Sequence, residues 1–530
     1  MLSLHWAMNN RADEALGLLL DREAWVEEQP DATIRTAYRL TRSSIFAFGD
    51  RLPEAIAEGR QALVAVDFTR AFAAVGLLSL AVLAGPIFIS QFSQAAYSFI
   101  DTLMAGQVSA LDLAAVAVGS SIWLPLYLLI TGTLLATTAL VAEAKGADKP
   151  ERIADITHQA LWLALLVGIA GLLLIRNAWP LFDWLQVPLE LRLKTRAYLD
   201  GVCWGMPAVG LFFVLRCYCE AQGRPLPVML ISVSGLLLNV LANQLFIYGS
   251  ADIALLSWLN IPAMGGPGCG WATALVLWLL TFVLLVYVLC AQAFARVRLF
   301  QRWTPPHLAE LRHIAALGLP IGLAIFFEVS SFALVAILIS PSGATVVAGH
   351  QVALSVTSIL FMVPLSLSIA LTIRVSQLYG AQDLDAIAHT RRVGLVTTAL
   401  IACCSALFLL LARHVIAACY TQDHAVQMLA ANLMLFAVGY QIFDALQVGA
   451  AGCLRGLQDT RSPMLLTLIA YWMVAIPFGF VAGSTDTFGH AWGPYGYWTG
   501  LVLGLGIAAL LLNHQLGRRL TQLRSLARSA

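Results

Sequence analysis

Long apolar runs separated by short polar segments make up most of this chain. Twelve runs are long enough to cross a bilayer as helices, since a hydrocarbon core of about 30 Å needs roughly 20 apolar residues. They lie at about 77–102, 113–142, 156–175, 197–218, 226–249, 269–293, 314–340, 346–373, 393–412, 425–452, 463–483 and 494–517. The runs are continuously apolar and lack the two-residue alternation of a membrane β-barrel. The pattern therefore predicts an all-α integral membrane protein with twelve transmembrane helices.

The composition supports a membrane location and separates a polar segment at the start. Of 530 residues, 59% are hydrophobic and 12% are charged, whereas about a quarter are charged in a soluble protein. Residues 1–70 hold 19 of the 61 charged residues. They contain no apolar run suited to a cleavable signal, so we expect the first hydrophobic helix to direct insertion. We predict that 1–70 is a polar cytoplasmic segment.

Lys and Arg residues orient the predicted helices, because cytoplasmic loops carry an excess of both. With a cytoplasmic N-terminus, the inner connections and the C-terminal tail hold 18 of these residues after position 70, and the outer connections hold 5. We therefore expect both termini in the cytoplasm.

The two halves of the chain repeat each other. At a constant offset of 234 residues, Pro86 corresponds to Pro320 and Gly146 to Gly380. Six helices per half give both halves the same orientation, which predicts two six-helix bundles related by a pseudo-twofold axis along the membrane normal, with a cavity between them. The predicted parts are an N-terminal bundle at 71–293, a cytoplasmic linker at 294–312, and a C-terminal bundle with a basic cytoplasmic tail at 313–530.

Three acidic residues fall within predicted spans, away from the inner loops: Asp101, Glu328 and Asp444. A carboxylate at the centre of a membrane helix costs at least about 2.5 kcal/mol, so such residues mark ion or substrate sites. We expect no basic residue at comparable depth to neutralise them. Arg216 precedes Glu220 by four residues and is interpreted as a pair at a helix end.

The neighbours of these acids favour cation binding. Tyr440 and Gln447 lie four residues before and three residues after Asp444, on one helical face. Hard oxygen donors around Glu328 and Asp444 suit Na⁺, whereas two nearby carboxylates in a low dielectric suit a proton. The residues alone leave both ions open.

Other polar residues in the spans have a structural alternative. Asn239 and Asn243 are four residues apart, and Gln94 precedes Asp101 by seven; hydrogen bonds between helices would explain them. Asp101 itself lies toward the outer end of its span, where a solvated carboxylate is the alternative. A cavity with acids and aromatic rings would attract lipophilic cations.

Six segments resemble the multidrug and toxic compound extrusion family, in its NorM-type branch. These are FIDTLMAG (99–106), GPGCGWAT (266–273), FFE (326–328), GHQVA (349–353), YQIFDA (440–445) and GCLRG (452–456). The resemblance covers about residues 77–515. It implies a secondary active antiporter that exports cationic amphipathic drugs in exchange for inward Na⁺ or H⁺, in a bacterial-type cytoplasmic (inner) membrane.

The resemblance also implies roles for individual residues. Glu328 and Asp444 would bind the coupling ion, with Tyr440 nearby and Na⁺ the favoured ion. Asp101 and Gln94 would form a substrate or proton site in the N-terminal half. Gln447 and Asn239 are expected as supporting polar residues.

Two other function classes compete with a drug exporter. A lipid-linked oligosaccharide flippase could share the architecture, but its anionic pyrophosphate would require Arg or Lys in the cavity. A membrane enzyme is disfavoured by the lack of metalloprotease, nucleophile and phosphate-loop motifs, and the nine cysteines lie mostly in apolar runs as packing residues. We expect a monomer among membrane lipids, without a cofactor and without nucleic acid.

Overall fold

The computed structural model describes residues 68–184, 188–250, 261–297, 299 and 303–529, and in these ranges the regular structure is helical. Twelve described spans are long and apolar enough to cross a membrane, one for each predicted run. They are α1 (Leu80–Val108), α2 (Ala110–Gly146), α3 (Pro150–Arg176), α4 (Leu189–Ala221), α5 (Pro225–Tyr248), α6 (Gly268–Cys290), α7 (Leu308–Ser342), α8 (Ala344–Gly380), α9 (Leu384–Tyr420), α10 (His424–Gly456), α11 (Arg461–Ser484) and α12 (Pro494–Ala527). The predicted all-α membrane fold is confirmed. Residues 1–67 of the predicted polar segment 1–70 lie outside the described residues.

The internal repeat is visible in how the helices end. After α2 and α8, a residue in the left-handed region stops the helix, Asp148 with φ 53° and Gln382 with φ 57°. The next backbone N–H then reaches back to the helix: Lys149 donates to Ala144 at 3.0 Å, and Asp383 donates to the Leu378 carbonyl at 3.1 Å. These turns lie 234 residues apart, so the predicted repeat is confirmed. We call α1–α6 the N-lobe and α7–α12 the C-lobe.

The even-numbered helices all end on one side of the bundle, which we call the basic side. The ends of these helices, the connections that follow them, the starts of the next helices and the C-terminal tail carry 18 of the 23 Lys and Arg residues after position 70. On the outer surface of the spans, large apolar side chains such as Leu173, Phe282 and Leu411 are exposed. Such a surface suits contact with lipid tails.

Each lobe contributes part of one helix to the core of the other lobe. Leu80, in the first half of the helix Phe68–Val108 that contains α1, is buried in a cluster with Leu512 and Leu516 of α12. Ile314, near the start of α7, is buried in the main cluster of the N-lobe. The lobes are therefore interleaved at both of these helices.

At the basic side, α2 and α8 cross in close contact. A Cβ atom added at Gly146 would lie 1.8 Å from the Gln377 carbonyl oxygen, and one added at Gly380 would lie 2.0 Å from the Glu143 carbonyl oxygen. Both positions therefore require glycine for the backbones to approach this closely. The two contacts are reciprocal, as the pseudo-twofold relation of the lobes demands.

Polar contacts between the lobes surround this crossing. The Gln458 side-chain amide donates to the Glu143 carboxylate. Gln377 donates from Nε2 to the Ala221 carbonyl at 3.1 Å. Together with the glycine contacts, these bonds hold the lobes together at the basic side.

A bidentate ion pair adds a further contact between the lobes. Arg152, on α3, donates to both carboxylate oxygens of Glu310, on α7, at 2.9 Å each. Separating the lobes at this side would break all of these contacts at once.

Candidate functional site

A cavity of about 430 Å³ lies between the two lobes. Its walls come from α1, α2, α4 and α6 of the N-lobe and from α7, α8, α10 and α11 of the C-lobe. The volume falls in the range of sites for drug-sized molecules. Four of the predicted site residues line it: Asp101, Gln94, Glu328 and Gln447.

The N-lobe acid sits in a cage of hydrogen-bond donors. Asp101 is 5% exposed, which excludes the alternative of a solvated interfacial carboxylate. Its Oδ1 accepts from Asn243 Nδ2 at 2.7 Å and from Asn239 Nδ2 at 3.2 Å. Its Oδ2 accepts from the Thr273 hydroxyl at 2.7 Å. Three helices of the N-lobe, α1, α5 and α6, therefore meet at one carboxylate.

Gln94 lies two turns of α1 before Asp101. Its Oε1 accepts from the Tyr127 hydroxyl at 3.3 Å. Tyr127 stacks on Trp123, with ring centroids 5.0 Å apart, and both rings line the cavity. This wall therefore combines an amide with an aromatic surface.

The C-lobe acid that faces the cavity is Glu328. Gln447 Nε2 lies 3.5 Å from its Oε2, and Gln447 Oε1 accepts from the Tyr471 hydroxyl at 2.7 Å. Tyr471 lies in a π-helical turn of α11, Ile469–Ala475. In the same turn, Trp472 Nε1 donates to the Phe327 carbonyl at 3.1 Å. Turns of this kind are often found at functional sites, because they re-aim side chains within a helix.

The second predicted acid of the C-lobe lies behind this layer. Asp444 is 4% exposed and does not line the cavity, and its charge acts on that of Glu328. In the part of the chain that the structure describes, no hydrogen-bond donor reaches its carboxylate. Gln447 lies three residues after Asp444 on the same face of α10 and contacts Glu328, which brings the two acids of the C-lobe into one region of the fold.

Tyr440 also lies behind the cavity wall. Its ring stacks on Trp498 at 6.0 Å, and Trp498 Nε1 donates to His350 Nδ1 at 3.0 Å. The structure therefore places Tyr440 one turn from Asp444 and anchors it by aromatic packing.

The expectation of a cavity without basic residues is wrong. Arg216 and Arg455 both line it. The predicted pair of Arg216 with Glu220 is present at 2.7 Å, but both side chains are 2% exposed and lie inside the protein. The spacing of four residues predicted the pair of Arg216 with Glu220 correctly. It could not predict that this face of the helix points into the cavity.

Sequence reasoning also missed some donors around the acids. For Asn243 a signal was available, since it shares a helical face with Asn239 at a spacing of four. Thr273 carried none, because Thr hydroxyls in membrane helices most often bond to their own backbone. Tyr471 carried none, because Tyr in membrane helices most often marks the interface with water.

Comparison with known proteins identifies the chain. The MatE family model matches residues 86–245 and 320–481, one match in each lobe, with starts 234 residues apart. The chain belongs to the MatE family. The resemblance to multidrug and toxic compound extrusion proteins is thereby confirmed. MatE proteins are transporters rather than enzymes and work without a cofactor.

Two relatives show how close the similarity is within the MatE family. The chain is 46% identical over 441 residues to a probable multidrug resistance protein NorM of Acinetobacter baylyi, which covers 82% of this chain and 96% of the relative. It is 45% identical over 443 residues to the multidrug resistance protein PmpM of Pseudomonas aeruginosa, which covers 83% and 91%.

A solved structure shares the MatE fold. The crystal structure of the eukaryotic MATE transporter AtDTX14 matches with a TM-score of 0.74 at 20% identity, over 86% of this chain and 99% of the other.

Proposed function

We propose that this MatE transporter exports cationic amphipathic compounds in exchange for inward Na⁺ or H⁺. One observation carries the ion-coupling part: Asp444 is a buried carboxylate that no donor in the described ranges reaches, and the charge of a second carboxylate, Glu328, acts on it. Two such groups are costly in a low dielectric unless a cation or a proton compensates them.

The two carboxylates suit Na⁺, because carboxylate oxygens are hard ligands of the kind that alkali and alkaline-earth cations prefer. Tyr471 donates to the Gln447 amide oxygen and so directs the amide nitrogen toward Glu328. We therefore propose Na⁺ as the coupling ion, and proton coupling is the alternative that the experiment below separates.

The substrate class follows from the cavity and from the relatives. The cavity combines the acids Asp101 and Glu328 with the aromatic pair Trp123 and Tyr127, which suits an amphipathic cation with an aromatic body. The relatives at 45–46% identity are named multidrug resistance proteins. Their names favour a drug exporter over a lipid-linked oligosaccharide flippase.

The lobe contacts suggest how exchange proceeds. The basic side is held closed by the crossing of α2 and α8 and by the ion pair of Arg152 with Glu310. With the basic side in the cytoplasm, as the distribution of Lys and Arg indicates, this is a state closed to the cytoplasm. We propose that ion and substrate bind alternately and shift the equilibrium between this state and an inward-open one.

The proposal is tested by measuring efflux of the cationic dye rhodamine 123 from proteoliposomes that contain the full chain. Na⁺ and pH gradients are imposed separately. Asp444→Asn and Glu328→Gln should each lower ion-driven efflux at least about tenfold, because a charge-assisted contact contributes about 1.5–3 kcal/mol. Asp385→Asn is the matched control, since this acid pairs with Arg524 on the surface.

The two gradients assign the ion, and the variants test the site. Efflux driven by the Na⁺ gradient alone supports Na⁺ coupling, and efflux driven by the pH gradient alone supports H⁺ coupling. Unchanged gradient-driven efflux in Asp444→Asn would contradict the proposed ion site.

A further inference from the structure

The cavity contains a buried guanidinium that cation exchange does not use. Arg455, on the last turn of α10, lines the cavity and is 8% exposed. Its Nη2 donates to the Ser368 hydroxyl at 2.7 Å, and its Nε has no acceptor. None of the ion pairs among the described residues includes Arg455. Among the described residues, no carboxylate therefore forms an ion pair with Arg455, and the charge of Glu328 acts on it only at longer range.

The other arginine of the cavity differs in this respect. Arg216 Nε donates to Glu220 at 2.7 Å, and its Nη1 donates to Gln91 at 2.8 Å. Its charge is therefore balanced by the neighbouring carboxylate. Of the two arginines described in the cavity, Arg455 is the one available to bind an anion.

We propose that Arg455 binds the carboxylate of zwitterionic amphipathic substrates whose cationic group is held by the acids of the cavity. A buried guanidinium with unused N–H donors gains a strong, charge-assisted bond when a carboxylate arrives, and its planar fork matches the two carboxylate oxygens. The inference rests on the proposed export function and deepens it, because it assigns a residue of the cavity to the anionic end of a substrate.

The dimensions of α10 suit a molecule with two charged ends. Gln447, which contacts Glu328, precedes Arg455 by eight residues, a rise of about 12 Å along the helix axis. The long side chains on both sides shorten this separation. Apolar residues that line the same cavity, such as Phe361 and Met362, would contact the body of the substrate.

A pair of dyes tests the anion subsite directly. Rhodamine 123 is the methyl ester of rhodamine 110, so the two share the cationic ring system and differ in one free carboxylate. Their affinities for the purified full chain are measured by fluorescence anisotropy. Arg455→Gln should weaken binding of rhodamine 110 at least about tenfold, and binding of rhodamine 123 should change less than about twofold.

Two further variants define the result. Arg455→Lys keeps the charge and should restore most of the affinity for rhodamine 110. Arg374→Gln removes an arginine of α8 that does not line the cavity, and it should leave both affinities unchanged.

The outcomes separate this inference from the proposed function. If Arg455→Gln weakens both dyes equally, or weakens neither, Arg455 is not a carboxylate subsite and acts at most as a counter-charge for Glu328. If the unmodified protein binds neither dye, the proposed cation site fails and the zwitterion subsite fails with it.

Discussion

At the scale of single residues, the two lobes hold their buried acids in different ways. Asp101 accepts hydrogen bonds from three side chains, whereas Asp444 accepts none from the described residues. A carboxylate surrounded by donors is already stabilised as an anion. A carboxylate without donors gains more from an incoming cation, which makes Asp444 the better candidate for ion coupling.

The hydroxyl of Tyr471 provides a test of this division. Tyr471→Phe removes the hydrogen bond to Gln447 and leaves that amide free to turn away from Glu328. One hydrogen bond contributes about 0.5–1.5 kcal/mol, so the Na⁺ concentration that half-saturates dye efflux should rise about two- to tenfold. Tyr97→Phe removes a bond of similar length, to the Ser232 carbonyl at 2.7 Å in the N-lobe, and should leave the Na⁺ dependence unchanged. Equal shifts in both variants would contradict a specific role for Tyr471.

Sequence could predict the acids of the site and only part of their surroundings. Asp101, Glu328 and Asp444 stand out because charge is rare in membrane helices. Arg455 lies one residue before the end of α10. By sequence it was therefore counted among the basic residues that orient the helices. Its burial follows from contacts with α8, such as the bond to Ser368, and a spacing within one helix carries no information about contacts with another.

At the scale of helices, the number and order of spans were predictable and their ends were less so. The apolar run at 393–412 lies within α9, which extends from Leu384 to Tyr420. A helix can continue beyond the hydrocarbon region with polar residues, because water and lipid headgroups tolerate them there. The π-helical turn of α11 was also not predictable, because its apolar residues resemble those of an ordinary membrane helix.

The crossing of α2 and α8 gives a prediction at this scale. Gly380→Ala places a Cβ atom against the backbone at Glu143 and should push the two helices apart at the basic side, at a cost of about 1–3 kcal/mol. Reaction of an impermeant thiol reagent with a cysteine placed at Thr460, a cavity residue, should then become faster from the basic side. The measurement uses a background without the nine native cysteines.

Gly439→Ala is the matched control for this crossing. It changes a glycine of α10 with no atom within 4 Å of the added Cβ. Equal labelling rates at the cavity cysteine in both variants would show that the crossing does not close the basic side.

At the scale of the whole molecule, the proposed exchange requires the lobes to separate at the basic side. Cysteines at Glu143 and Gln458, whose side chains are hydrogen-bonded across the lobes, should stop dye efflux when a short bifunctional methanethiosulfonate joins them. A reductant should restore it. Cysteines at Lys145 and Gln222, which are in contact within the N-lobe, form the matched control and should leave efflux intact. Undiminished efflux in the cross-linked lobe pair would exclude movement at this side.

The packing of the first helix against the last bears on the order in which the protein is made. Leu80, in the first helix, is buried among leucines of the last helix, Leu512 and Leu516. Synthesis runs from the N-terminus, so the ribosome delivers these partners only after the eleven helices that precede the last one. Most of the first helix, including Ile87 and Tyr97, packs within the N-lobe, but the contact of Leu80 with α12 can form only after all twelve helices have been made.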